Sequence, residues 1–287
     1  MSVLRFSIYP LKVAFMAWLL SACVPEPITV TEHPAEEEAR DGTSAKVVFI
    51  AGPDSHGAGE HEHTAGSELL ANALRERYSG ISTVNVTGGW PENADVFEDA
   101  RAIVIYCDGG AGHLINKHLS SFNQLVAKGV GVIALHYGVE VPKGSASADA
   151  MLAAIGGYFE TDWSVNPHWN AEFTKLPDHP IAEGISPFSV HDEWYFNMRF
   201  QSKMKGVTPI LSAIAPDSTM ERRNGAHSGN ETVRQLVAAK TPQVTAWAYE
   251  RENGGRGFGF TGGHFHHNWQ NDQQRNLLLN AIVWTMR

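Results

Sequence analysis

Three short apolar runs constrain what this chain can fold into: Lys46–Ala51 (KVVFIA), Ala102–Tyr106 (AIVIY) and Gly131–His136 (GVIALH). Lacking regular polar–apolar alternation, they need cover on both faces, as the strands of a parallel sheet do. Between them lie segments with helical spacing. Ala65 to Tyr78 puts Leu69, Leu70, Ala73 and Leu74 on one stripe, and Ile115 to Lys128 places Leu119, Phe122, Leu125 and Val126 before the stop at Gly129. Ile81–Thr87 adds a looser strand. Strand, helix, strand, strand, helix, strand predicts an α/β three-layer sandwich with a mostly parallel central sheet. Tyr158 to Met198 reads as a less regular insertion rich in Trp, His and Asp. Ile210–Ile214, Val244–Tyr249 and Gly257–Thr261 read as later strands, and a helix from Asp272 to Met286 closes the chain.

The chain carries 22 Lys and Arg against 31 Asp and Glu, a net charge of −9 with histidines neutral. It holds no block of basic residues, which argues against a nucleic-acid partner. Arg5 and Lys12 precede the apolar run Val13 to Leu20, too short to span a bilayer but suited to a signal peptide. Leu20-Ser21-Ala22-Cys23 resembles the lipobox of bacterial lipoproteins, which implies cleavage before Cys23 and a lipid on its sulfur. The alternative is a plain secretory signal with an incidental cysteine. Residues 23–45, with Pro25, Pro27, Pro34 and Glu36-Glu37-Glu38, read as an acidic tether, so the folded domain is expected over 46–287. The expected location is the bacterial envelope, facing the periplasm, with the outer membrane favoured. With Cys23 lipidated, Cys107 has no partner in the chain, and no motif around it marks a nucleophile.

The 14 histidines fall mainly at strand ends. After the first strand come Ser55-His56-Gly57 and Glu60-His61-Glu62-His63. After the third come Cys107-Asp108 and Gly112-His113. The fourth ends at His136, and the last runs into Gly263-His264-Phe265-His266-His267. Ligands bind outside the carboxyl ends of parallel strands, so these clusters are expected to share one cleft. His136 stands where a nucleophile elbow places its nucleophile, but imidazole suits metal ligation or proton transfer rather than a thioester. The insertion adds His168-Trp169-Asn170 and His191-Asp192-Glu193-Trp194-Tyr195. A carboxylate against an aromatic wall can have a raised pKa and act as an acid or base. Trp90, Trp163, Trp169, Trp194, Trp247 and Trp269 offer flat faces for sugar rings.

These pieces resemble the ThuA-like, or trehalose-utilisation, family, whose fold is flavodoxin-like and of the class I glutamine amidotransferase-like type. The matching residues are Val48–Gly52 with Ser55-His56-Gly57, Gly131–His136, and Gly156-Gly157 with Phe159 ahead of His168. They continue through Asp178-His179-Pro180-Ile181 and Asp192-Glu193-Trp194-Tyr195 to Trp247, Gly255-Arg256-Gly257 and Gly263-His264. Phe258 departs from the family's usual valine. The resemblance implies a role in sugar metabolism, on disaccharides or their keto derivatives. His136 in place of the relatives' cysteine argues against glutaminase activity.

The expected function is therefore a metal-assisted carbohydrate enzyme, a hydrolase, lyase or isomerase. His56, His61, His136 and His264 are the candidate metal ligands, for Zn²⁺ or a similar divalent ion. Glu193 is the expected acid/base, with Asp192 orienting it and His136 able to carry a proton. Asp108, His168, Trp169, Trp194 and Tyr195 are expected to contact a small carbohydrate. The alternative is a sugar-binding lipoprotein without catalysis.

Overall fold

A computed structural model describes Met1 and residues 44–287. The apolar segment Val13–Leu20 and Cys23 lie outside the described residues. Among the described residues, no helix is long and apolar enough to cross a membrane.

The first half alternates β1 (Ala45–Ala51), α1 (His63–Arg77), β2 (Ile81–Val86), β3 (Ala100–Tyr106), α2 (Leu119–Ala127), β4 (Gly131–Leu135) and α3 (Ala146–Ile155). Then come the short β5 (Gly157–Tyr158), the hairpin β6 (His168–Phe173) and β7 (Phe188–Glu193), and β8 (Arg199–Phe200). The chain finishes with β9 (Val207–Ala213), α4 (Glu231–Ala238), β10 (Gln243–Glu250), β11 (Arg256–Phe260) and α5 (Asp272–Thr285).

The main sheet has seven strands in the order β2-β1-β3-β4-β11-β10-β9. Strands β1 to β4 and β11 are parallel, while β10 runs antiparallel to both β11 and β9. The leading order 2-1-3-4 is the flavodoxin-like one, so the expected mostly parallel sandwich is the one observed. The apolar runs are the middle of this sheet. In β4 every residue is buried, and in β1 the last five are.

Two cores follow from the strand period of two. Val47, Phe49, Val104 and Ile133 pack with Leu70 and Leu74 of α1 and Leu277 and Leu278 of α5. Val48, Ile50, Ile103 and Val132 face Phe122 and Leu125 of α2 and Met151 of α3. Helix α5 is buried continuously from Leu277 to Thr285, more than a one-face stripe suggests, and Asn271 caps its start through Gln274 N.

Some elements differ from the sequence reading. The helix expected over Ile115–Lys128 is broken. A 3₁₀ turn spans Leu114–Lys117, and α2 starts only at Leu119. Buried His113 causes the turn: its Nδ1 accepts from Ile115 N at 3.1 Å, and its Nε2 donates to Gly138 O at 2.9 Å. The irregular insertion contains a regular hairpin, with β6 alternating between exposed and buried residues. Pro209 stands in β9, which tolerates it as an edge strand.

Candidate functional site

The parallel strands β1, β3, β4 and β11 all end at one edge of the sheet, and their following loops bring the histidines together. His61 Nε2 lies 2.9 Å from His264 Nδ1 and 3.0 Å from His136 Nε2. Glu193, at the end of β7, adds Oε2 at 3.3 Å from His264 Nδ1 and 3.5 Å from His136 Nε2. These four residues can hold a metal ion, with one ligand atom from each lying within 4.8 Å of the others. Ligands about 2.0–2.1 Å from a tetrahedral ion stand about 3.3 Å apart, close to the spacings found here.

Hydrogen bonds fix which nitrogen each ring presents. His61 donates through Nδ1 to Asp108 Oδ1 at 3.0 Å, and Ser55 Oγ donates to the same oxygen at 2.8 Å. His136 donates through Nδ1 to Thr261 O at 2.8 Å. Both Nε2 atoms are therefore lone pairs, facing each other at 3.0 Å. Two acceptors at that distance repel unless a metal ion or a shared proton sits between them, and the Tyr195 hydroxyl lies 3.2 Å from the same His136 Nε2. His264 turns Nε2 toward Glu60 Oε1 at 3.7 Å, leaving Nδ1 for the centre. Such carboxylate or carbonyl partners behind ligating imidazoles orient them and raise their basicity.

The electrostatics favour a cation at the same point. Burial pushes the His61 pKa down to about 4, against the opposing pull of Asp108, so the ring is neutral at physiological pH. Burial alone would raise the Glu193 pKa. Its bonds to His136, His168 and His264 outweigh burial and hold the carboxyl well below the usual range. This reverses the expectation of a raised Glu193 pKa. Because the His136 and His264 nitrogens that face Glu193 are lone pairs when their rings are neutral, the charged carboxylate is favoured there when a proton on a ring or a bound cation lies between them. Tyr195 donates its hydroxyl to Glu193 Oε2 at 3.3 Å, and burial raises its own pKa.

The backbone is bent to make the cluster. His56, His61 and His136 have φ of 66°, 43° and 51°, in the left-handed region that only a few per cent of non-glycine residues occupy. Gly263, at φ 106°, allows the turn that delivers His264, and a Cβ there would meet the Trp269 ring at 2.7 Å. Asp192 pins the same turn by accepting from Gly263 N at 2.7 Å and His264 N at 3.0 Å.

A partly open cavity of about 130 Å³ adjoins the cluster, lined by His56, His61, Glu193 and Tyr195 together with Tyr137, Asn166 and His227. Of the expected site residues, His61, His136, His264, Glu193 and Tyr195 meet here. His56 stands beside His61, with ring centroids 3.8 Å apart, but groups with His61 and Asp108 rather than with the four.

Several expectations are corrected. Asp192 is fully buried and holds the His264 turn, so it is not a catalytic group facing the cavity. Asp108 gives Oδ1 to His61 and Ser55, which sets it behind His61 as a support of that ring. Trp169 and Trp194 are buried, with their indole N–H groups on Trp194 O and Val190 O, so neither offers a face to a sugar. Trp247 and Trp269 are likewise core residues. His168 is half-exposed at the rim, 3.7 Å from Glu193 Oε1. Cys107 is buried, and its thiol is pushed up to about 12 by that burial, which fits a structural role. Sequence reasoning missed Glu140, Asn166 and His227, which carry no motif, and gave no role to Tyr137 beside His136 in the turn after β4.

Comparison with known proteins agrees with this architecture. No curated protein matches the chain by sequence. Among solved structures, a ThuA-like protein from Bacteroides uniformis superposes with a TM-score of 0.58 at 15% identity, covering 85% of this chain and 91% of that one. One from Parabacteroides merdae gives 0.56 at 14% identity, covering 85% and 90%. The family model for ThuA, described as trehalose utilisation, matches residues 47–285. Sheet order, histidine-bearing strand ends and this match along almost the whole described domain have one reading: the chain belongs to the ThuA family.

Proposed function

We propose that this chain is a metal-dependent enzyme of carbohydrate utilisation, acting on a disaccharide or a keto-sugar derivative from a lipid anchor in the bacterial envelope. One observation carries the metal reading: His61 Nε2 and His136 Nε2, both held as lone pairs, face each other at 3.0 Å. His61, His136, His264 and Glu193 would hold the ion, with zinc or a similar first-row cation suited to three imidazoles and a carboxylate. A bound ion of this kind supplies Lewis acidity toward a carbonyl or hydroxyl oxygen. Tyr195 keeps Glu193 aimed inward, while Asp108 and Thr261 O keep their histidine rings from turning. Membership of the trehalose-utilisation family supports the sugar as substrate.

Elemental analysis and zinc calorimetry on chelator-stripped protein test the reading. One equivalent of tightly bound zinc is expected, with the stoichiometry lost in His136→Ala and His264→Ala. Absence of tight binding, with both variants merely melting at lower temperature, would mean that the rings are core histidines. The anchor rests on Leu20–Cys23. Cys23→Ala is expected to release the protein from the membrane fraction or block its processing, and wild-type partitioning would refute the anchor.

A further inference from the structure

His227, which lines the cavity together with His61 and Glu193, belongs to a second acid–base pair. Glu140 is buried just beyond the His136 turn, and His227 Nε2 lies 3.1 Å from each of its carboxylate oxygens. The His227 ring stacks on Phe159, with centroids 5.4 Å apart. Its loop is already fastened through the backbone. Asn166 N and Arg222 Nη2 both donate to His227 O, at 3.2 and 3.1 Å, and Val165 bridges to Ser228. The carboxylate is therefore not required as a tether. Accepting the Nε2 proton turns the ring, leaves Nδ1 as its free nitrogen, and strengthens it as a base, the arrangement of a carboxylate-backed general base.

The wall chemistry narrows the ligand. Among the described residues that line the cavity none is Lys or Arg. Glu193 lines it, Glu140 stands behind His227, and Arg222 beside it is engaged by Asn166 Oδ1 and His227 O, so a phosphate or carboxylate would meet two carboxylates and no uncommitted cation on the lining. No serine or thiol lines it either, which removes covalent catalysis through those groups. What remains is a neutral compound whose oxygen faces the cluster while a proton leaves toward His227.

We propose that Glu140 and His227 form the proton-transfer pair of this site, acting on a neutral α-hydroxycarbonyl compound, with His227 as base and Glu140 as its positioning residue. The inference rests on the metal reading above. In the step, the C–H bond beside the carbonyl breaks and its proton passes to His227 Nδ1. The C–H electron pair forms a C=C bond while the carbonyl π pair moves onto oxygen, near the Tyr195 hydroxyl. Return of the proton to the same carbon restores the starting carbonyl. Its return to the former carbonyl carbon, with the neighbouring hydroxyl's proton passing to the other oxygen, gives the isomeric hydroxycarbonyl, with no net oxidation or reduction.

The test uses the full chain loaded with zinc and 1,3-dihydroxyacetone in D₂O, with loss of C–H signal followed by proton NMR. Wild type is expected to exchange deuterium, and His227→Ala to lose roughly 10²–10⁴-fold while keeping its zinc. Added imidazole should restore exchange in that variant, which a structural role does not predict. Glu140→Gln should slow exchange yet cause no further loss when combined with His227→Ala. Wild-type exchange in His227→Ala, or no exchange by a zinc-loaded wild type, overturns the pair. Exchange that depends on His227 without stoichiometric zinc keeps the pair and refutes the metal reading; neither zinc nor exchange refutes both.

Discussion

Asp108 shows how one side chain outside the cluster decides what the cluster can do. By accepting the Nδ1 proton of His61 it leaves Nε2 bare, and it remains ionised: burial works against the charge, but the bonds from His61 and Ser55 outweigh it. Replacing it should free the ring to rotate or change tautomer. Asp108→Ala is expected to weaken zinc binding about 10–100-fold without unfolding the protein, measured by competition with a chromogenic chelator. An unchanged affinity would show that Ser55 and the packing suffice to hold His61. At this scale the sequence was legible only in part. His136, Glu193 and His264 stand beside strand ends, where topology says a ligand belongs. Glu140 and His227 are 87 residues apart and meet because Phe159 and the Val165–Ser228 bridge fold one loop over the other. Trp169 and Trp194 misled because an indole's sequence neighbours do not say which way its face points.

Among elements, the turn from β11 into α5 is the one most exposed to failure. Two of its backbone N–H groups are satisfied by a single buried carboxylate, Asp192, from β7. Asp192→Ala would leave both unpaired, so a loss of about 1–3 kcal/mol is expected, together with weaker zinc binding as His264 drifts. Denaturant titration and calorimetry on one variant read both. A second link joins the residues after β5 to β8: Arg199 donates to both oxygens of Glu160 at 2.8 and 3.1 Å and lies over Trp163 at 4.0 Å. Burial would raise the Glu160 pKa, but Arg199, Tyr158 and Lys143 outweigh it and lower it. A carboxyl with a depressed folded-state pKa stabilises above the ordinary carboxylate range and loses that contribution as pH falls through its folded pKa. Glu160→Gln should therefore lower Tm near neutral pH, with the gap to wild type closing only as pH falls below the ordinary carboxylate range. A pH-independent gap would mean that packing, not charge, holds the link. The apolar strands were legible because burial on both faces leaves few other readings of such runs. The break before α2 was not, since it depends on a bond from His113 to Gly138, far along the chain.

For the molecule as a whole, binding and folding are linked, because the four cluster residues come from the loops after β1, β4 and β11 and from β7. A ligand that needs all of them assembled binds only the native state. At a free zinc concentration of 100 Kd it should add about 2.7 kcal/mol, or roughly 5–10 °C in Tm for a domain of this size. Thermal scans with zinc and with chelator check this, and His136→Ala should abolish the difference. The order of sheet elements could be anticipated from β1 through β4, where each strand follows a helix or a loop in a right-handed path. The reversal of β10 could not, because a buried strand reads the same in either direction.

The left-handed backbone at His56, His61 and His136 bears on how such a site changes over time. Each residue held there costs on the order of 1–3 kcal/mol, against a net stability for a whole domain of about 5–15 kcal/mol. Glycine would sit at any of the three without strain, so a search for thermal robustness alone would erase the imidazoles first. The same bend means that the rings already point at one spot before any ligand arrives. The edge of the sheet works like a pre-set jaw: folding does the aiming, and capture involves little further movement of the chain.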